Sequence, residues 1–157
     1  MLREPRCESH IEAEALRRSF HTVIRGFGML DSATTPCGQP MPISLAHALM
    51  ELLARSTIRQ GDLAAALGLS KSATSRLVGQ MERRRWVERA IDETDRRAWR
   101  VGLNATGKRV AEQVNAASLR RFTAMLEGIP CDKREAIYRS LDVLSQAISA
   151  STQSGGQ

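Results

Sequence analysis

A mainly α chain with a small β-hairpin, laid out as a winged helix-turn-helix between long N- and C-terminal helices, is what this sequence predicts. Three observations lead there. Apolar residues recur at spacings of three and four through most of the 157 residues, the mark of helices with one buried face. After Arg85 the period changes to that of two short strands around a charged tip. Aromatic residues make up only 4% of the chain, and its prolines number five, which suits helices better than a β-sandwich. This length supports one domain with a real core but not two independent ones. Residues 1–157 are therefore read as one domain, with flanking helical regions at 1–35 and 104–150, a central reader at 43–103 and a flexible tail at 151–157.

Residues 1–8 read as a mobile arm bearing Arg3 and Arg6. From Ser9 a helix is expected, because Leu16, Phe20, Val23, Phe27 and Leu30 follow at spacings of four, three, four and three. That stripe either caps the protein's own core or supplies a seam for a second subunit. Residues 31–42 hold three prolines and a glycine and break the helix. Ser44 is then expected to cap a helix over 45–55 that is apolar on most sides, with His47 among its apolar neighbours.

The central reader follows. Residues 60–67 form an alanine-rich helix that Gly68 stops, since a positive φ costs glycine little. Ser70 caps a second helix, in which Ala73, Leu77 and Met81 recur every four residues and face the core. Lys71, Ser72, Ser75 and Arg76 then fall on the outer face near the helix start. Short polar and basic side chains there allow close approach to a major groove. Residues 86–91 and 98–103 form two strands around the tip 92–97, anchored on the helical body by Val87, Val101 and Leu103, because so short a hairpin is marginal alone. Trp86 and Trp99 are read as packing or partly exposed hairpin residues.

Asn104 caps the next helix, whose apolar positions are Val110, Val114, Ala117, Phe122, Met125 and Leu126, and the run Gly128-Ile-Pro130 ends it. Asp132 with Glu135 three residues on resembles a capping box, and Ile137, Leu141, Leu144 and Ile148 give a final stripe.

Charge and composition narrow the function. A formal net charge of +6, carried mostly by arginine, favours a polyanionic partner, because neutralising phosphates releases counterions. No apolar run reaches the ~20 residues of a membrane span, and the polar start lacks a signal-peptide core, so a cytoplasmic protein without membrane contact is expected. Cys7, Cys37 and Cys131 are odd in number and far apart, which argues against a disulfide framework and a zinc module. The histidines are His10, His21 and His47, with no His-x-x-x-His among them, so no metal is expected. No glycine-rich phosphate loop, nucleophile elbow or carboxylate pair suggests an enzyme or a cofactor.

The run from Gly61 through Leu69-Ser70-Lys71-Ser72-Ala73-Thr74-Ser75-Arg76 to Arg84, joined to Asp95-Arg96-Arg97-Ala98-Trp99-Arg100-Val101-Gly102-Leu103-Asn104-Ala105-Thr106-Gly107, resembles the MarR family of bacterial transcription regulators. The joint match of helix pair, Asp-x-Arg wing and Leu-x-x-x-Gly helix start is specific; any one part is not. The likeness is close over about 43–107, while the outer helices agree only in placement and length.

The resemblance implies a homodimer with interlocking terminal helices, whose recognition helices enter successive major grooves of a pseudo-palindromic operator, on the order of 34 to 36 Å apart. It implies that Arg97, with its guanidinium held by Asp95, enters the minor groove, and that Arg96 and Arg100 contact phosphates. Ser70, Lys71, Ser72, Ser75 and Arg76 would sit on the major groove. Arg83 and Arg84 are either further DNA contacts or a solvated helix end, where positive charge suits the C-terminal dipole. Three departures stand out: Arg85 where the family usually has glycine, Ala98 where serine is common, and Asn104 in place of the capping threonine.

The resemblance also implies an effector pocket between the dimer helices and the reader. Cys37 and His47 are the residues nearest to it in sequence, as a thiol or metal sensor or as incidental side chains. A small anionic or aromatic ligand is the other expected effector. The rival to DNA binding is a winged helix used only for protein contacts, against which the lysine, arginine and serine on the outer face argue.

Overall fold

The computed structural model of the chain describes residues 9–154. The arm 1–8, with Cys7, and residues 155–157 lie outside them. In order the elements are α1 (Ser9–Phe27), α2 (Ile43–Arg55), β1 (Thr57–Arg59), α3 (Gln60–Leu67), α4 (Lys71–Arg83), β2 (Val87–Ile91), β3 (Trp99–Leu103), α5 (Ala105–Glu127) and α6 (Cys131–Ser154). Two compact units divide the chain after Ser118.

In the first unit the core forms where the apolar faces of α2, α3 and α4 meet the sheet and the first half of α5. Leu45, Leu49 and Leu52 of α2, Leu63 of α3, Val78 and Met81 of α4, Val101 of β3 and Val114 of α5 are fully buried. Each such side chain contributes about 1.5–3 kcal/mol of burial. Met41, from the end of the 31–42 loop, joins them, so that loop supplies a core anchor. Its start is set by Asp31, whose carboxylate accepts the Ala33 and Thr34 N–H groups and the Thr34 hydroxyl. The α1 stripe is different: Leu16, Phe20 and Val23 are 54%, 41% and 63% exposed.

The sheet has three strands, not the two expected. β1 pairs antiparallel with β3 and β3 with β2, in the order β1-β3-β2. Ile58, opposite Val101, is buried with it, and Val87 opposite Leu103 extends the same face. Three residues carry no period, so β1 becomes a strand only through pairing with β3.

Several local expectations change. Helix α2 begins at Ile43 behind Pro42, without a side-chain cap, so Ser44 is inside the helix rather than capping it. Proline fits just ahead of the first turn, where its missing N–H has no partner to lose. In α4 the buried stripe is Thr74, Leu77, Val78 and Met81, with Ala73 only half-buried. Thr74 tolerates burial because its hydroxyl donates to the Ser70 carbonyl at 3.0 Å.

The turn from α4 into the hairpin keeps a helix-stop geometry without glycine. Arg85 itself takes φ 56°. The Trp86 N–H reaches the Met81 carbonyl at 3.0 Å and the Arg85 N–H that of Glu82 at 2.8 Å, the pair of bonds a left-handed C′ residue allows. Beyond the sheet, Asn104 is the cap expected: its Oδ1 accepts from the Gly107 N–H at 2.9 Å and its Nδ2 donates to the Arg85 carbonyl. Gly107 is required there, since a Cβ would lie 1.9 Å from the Trp86 carbonyl oxygen.

In the second unit, the end of α5 and α6 are joined at Gly128–Pro130, as the sequence suggests. Arg134 donates to the Leu126 and Ile129 carbonyls and satisfies the end of α5. The expected capping box is not formed: Asp132 already lies in the first turn of α6, and Glu135 pairs with Arg139 at 2.9 Å instead. Helix α6 continues to Ser154, so the first part of the expected tail is helical. Its Ile137, Leu141 and Ile148 and the Leu119, Phe122 and Met125 of α5 are exposed.

Candidate nucleic-acid interface

The helix pair positions the first group of candidate residues. Gly68, at φ 62°, ends α3 by letting its own N–H and that of Leu69 close on Ala65 and Ala64. Ser70 then starts α4: its hydroxyl accepts the Ala73 N–H at 3.2 Å and lies 3.1 Å from that of Ser72. At 100° per residue, positions 71, 72, 75 and 76 share the face opposite 74, 77, 78 and 81. Burying the latter four therefore leaves Lys71, Ser72, Ser75 and Arg76 exposed as one surface. Short polar and basic groups of this kind are able to donate hydrogen bonds to phosphates and base edges.

The wing supplies the second group, organised by a residue that sequence reading placed only in the tip. Asp92 is 1% exposed. Its carboxylate accepts Arg59 Nε at 2.9 Å and Nη2 at 3.1 Å, Arg100 Nη1 at 3.1 Å, the Thr94 hydroxyl at 2.7 Å, and the Thr94 and Asp95 N–H groups at 3.0 Å each. The Arg59 guanidinium first, and then Thr94 with the tip N–H groups, holds this carboxyl far below the usual carboxylate range; burial opposes them and loses. Asp92 in return raises the pKa of Arg59.

Asp95 is bound to Arg97, but through the backbone: its Oδ1 accepts the Arg97 N–H at 3.0 Å, rather than holding the guanidinium as the family resemblance implied. The Arg97 and Arg96 side chains project from the tip, exposed. Arg100 is less free than a simple phosphate contact, since it also donates to the Thr57 hydroxyl at 3.0 Å. At the other end of the hairpin Arg84 stacks over Trp86 at 5.0 Å, and Arg83 closes α4 with its side chain exposed. Arg89 lies over Trp99 at 5.1 Å and reaches Gln60 and Glu82, tying β2 to α3 and α4.

Two further candidates, Cys37 and His47, fall in different surroundings. His47 lines a cavity of about 270 Å³ with Met29, Ile43, Ser44, Glu51, Ala66, Leu67 and Leu69. Cys37 is not among its walls: the half-buried thiol lies 3.0 Å from the Thr35 hydroxyl in the loop ahead of α2. The helix-turn signals at Gly68 and Ser70 were legible, but Arg59 and Asp92 were missed, because their pairing spans 33 residues and requires the unseen β1. Among the described residues, no cluster of three or more His, Cys, Asp or Glu side chains is suited to a metal ion, and no helix is long and apolar enough to cross a membrane.

Residues 41–98 match the model of the MarR family. The chain is 29% identical over 100 residues to the uncharacterized HTH-type transcriptional regulator YfiV of Bacillus subtilis, covering 64% of this chain and 62% of that one, so the match spans less than two thirds of the relative. Its fold is similar to that of a mutant MarR from E. coli crystallised with operator DNA, at TM-score 0.70 and 20% identity over 85% of this chain and 95% of that one. It is similar also to FabT from Streptococcus pneumoniae in complex with DNA, at TM-score 0.68 and 15% identity over 91% and 99%.

Proposed function

We propose that this chain, whose residues 41–98 match the model of the MarR family, is a MarR-type transcription regulator: a homodimeric, sequence-specific DNA-binding repressor. The observation that carries the reading is the single exposed surface of Lys71, Ser72, Ser75 and Arg76 on α4, accompanied by a separate arginine-bearing wing. The α4 residues read or position on the major groove of a pseudo-palindromic operator, while Arg97 enters the minor groove and Arg96 meets phosphates. Ser70 holds the start of α4, and Asp95 fixes the backbone from which Arg97 leaves. Arg83, Arg84 and Arg100 add positive charge at the edges. We assign the chain no catalytic role and place it in the cytoplasm.

Dimerisation is supported by the apolar side chains that each unit leaves exposed, Leu16, Phe20 and Val23 on α1 and Leu141 and Val143 on α6 among them. Control by a small molecule is supported by the cavity beside His47, whose walls come from α2, from the end of α3 and from Met29 and Leu69 outside the helices. A ligand there needs only to favour the spacing of reading heads that does not fit DNA; each 1.4 kcal/mol of preference is tenfold in operator affinity. Modification of the Cys37 thiol is a second route, supported by its partial exposure.

Fluorescence anisotropy with the DNA flanking the protein's own gene tests the proposal. Binding should weaken steeply with salt as counterions are released, and Arg97→Ala should weaken it strongly with little change in melting temperature. Unchanged affinity in that variant would remove the wing from the mechanism. No binding at any salt concentration would leave a protein-interaction module.

A further inference from the structure

The geometry points to Arg59 as a positioning residue for DNA binding, a brace that fixes the wing against the start of the helix pair and so sets where Arg97 is carried. The inference rests on the DNA-binding reading above and names the residue that holds its two contact elements in register.

Arg59 is at once the last residue of β1 and the residue ahead of the first turn of α3. It stands directly opposite Arg100 on the central strand. Like charges facing each other across a ladder repel, and a shared counter-charge relieves the repulsion. Asp92 is that charge. It follows directly on β2, which the central strand separates from β1, so the Arg59–Asp92 pair spans the whole sheet. One continuous set of contacts then runs from Arg59 to Asp92, from Asp92 to the Asp95 N–H, and from Asp95 Oδ1 to the Arg97 N–H. Arg59 also donates to the Thr94 hydroxyl.

A direct phosphate contact is the other role open to an arginine whose side chain remains 42% exposed. Its surroundings favour the brace. Two of its guanidinium nitrogens are already bonded to the Asp92 carboxylate, and Asp62 and Asp95 add further negative charge that favours the cation and opposes a phosphate.

A double-mutant cycle decides between the two roles. Anisotropy titrations on a duplex from the gene's own upstream region would compare the parent, Arg59→Gln, Arg97→Ala and the double variant. Arg59→Gln should weaken binding roughly tenfold in the parent and less than about twofold once Arg97 is gone, because its effect passes through that residue. The slope of log affinity against log salt should stay the same, and Arg59→Lys should recover only part of the loss, since an ammonium cannot grip the carboxylate bidentately. Full loss in both backgrounds, or a slope reduced by about 0.9, the signature of one phosphate contact, overturns the brace. If Arg59→Gln does not fold, Thr94→Val, which removes the hydroxyl that accepts from Arg59 and donates to Asp92, must show the same dependence on Arg97 at smaller amplitude; additivity there overturns it equally. A parent protein that binds no DNA refutes the underlying reading instead, an outcome distinct from either.

Discussion

Replacing Arg85 by glycine should make the protein more stable, although it deletes a charged side chain. Arg85 holds φ 56° at the end of α4, where its N–H and that of Trp86 close the helix. A residue with a Cβ in this left-handed conformation costs roughly 1–2 kcal/mol. Glycine removes that cost but loses more conformational freedom on folding, roughly 0.5–1 kcal/mol. The net gain is then about 0.5–1 kcal/mol, and at 2–4 °C per kcal/mol for a chain of this size the melting temperature should rise by about 2 °C. The bonds made by the backbone, including that from Asn104 Nδ2 to the Arg85 carbonyl, are retained. Arg85→Ala is the control: it deletes the same charge while keeping the Cβ, so it should stay within about 0.5 kcal/mol of the parent. Thermal melts by circular dichroism at neutral pH read all three proteins. Equal stabilisation by alanine would trace the gain to charge rather than backbone strain, and no gain with glycine would refute the reasoning.

Across the same junction the opposite holds for Gly107→Ala, whose Cβ would meet the Trp86 carbonyl oxygen at 1.9 Å and push α5 from the hairpin; a loss of about 3 kcal/mol or more in denaturant titration is expected, and a loss under about 1 kcal/mol would count against the close approach. Asp92 gives a pH signature. Its carboxyl is held below the ordinary value by Arg59 and Thr94, so its contribution is fully present above the unfolded value of about 3.9 and fades as the pH falls below it. The gap in melting temperature between the parent and Asp92→Asn should therefore be constant near neutrality and shrink below about pH 4; a gap that ignores pH would exclude the ion cluster as its source. For the thiols, exposed Cys131 should react with iodoacetamide before half-buried Cys37 in the native protein, as mass spectrometry of the modified peptides would read, and the reverse order would mark Cys37 as an activated thiol.

The sequence alone determined those features whose causes are local. Gly68 and Ser70 mark the turn and the cap because a positive φ and a hydroxyl acceptor are properties of one residue and its near neighbours. The recurrence of apolar residues every four positions placed the outer face of α4, since burying Leu77 and Met81 turns Lys71, Ser72, Ser75 and Arg76 to water. The same local logic found the hairpin, the Asn104 cap and the break at Gly128–Pro130.

Tertiary structure decided what depends on distant partners. Residues 57–59 are a strand only because β3 offers free backbone groups, and nothing in three residues could announce it. That pairing brings Arg59 beside Arg100 and both onto Asp92, turning a tip aspartate into the buried centre of the wing. Arg85, which the family pattern would replace with glycine, keeps the helix stop because contacts on both sides of the turn fix the backbone against the strain of one Cβ. The Arg97 backbone is likewise held by Asp95, a contact between neighbours whose direction only the folded tip reveals. Short-range periodicity thus fixed which residues face outward on α4, while the shape of the wing came from a few charged contacts across the sheet.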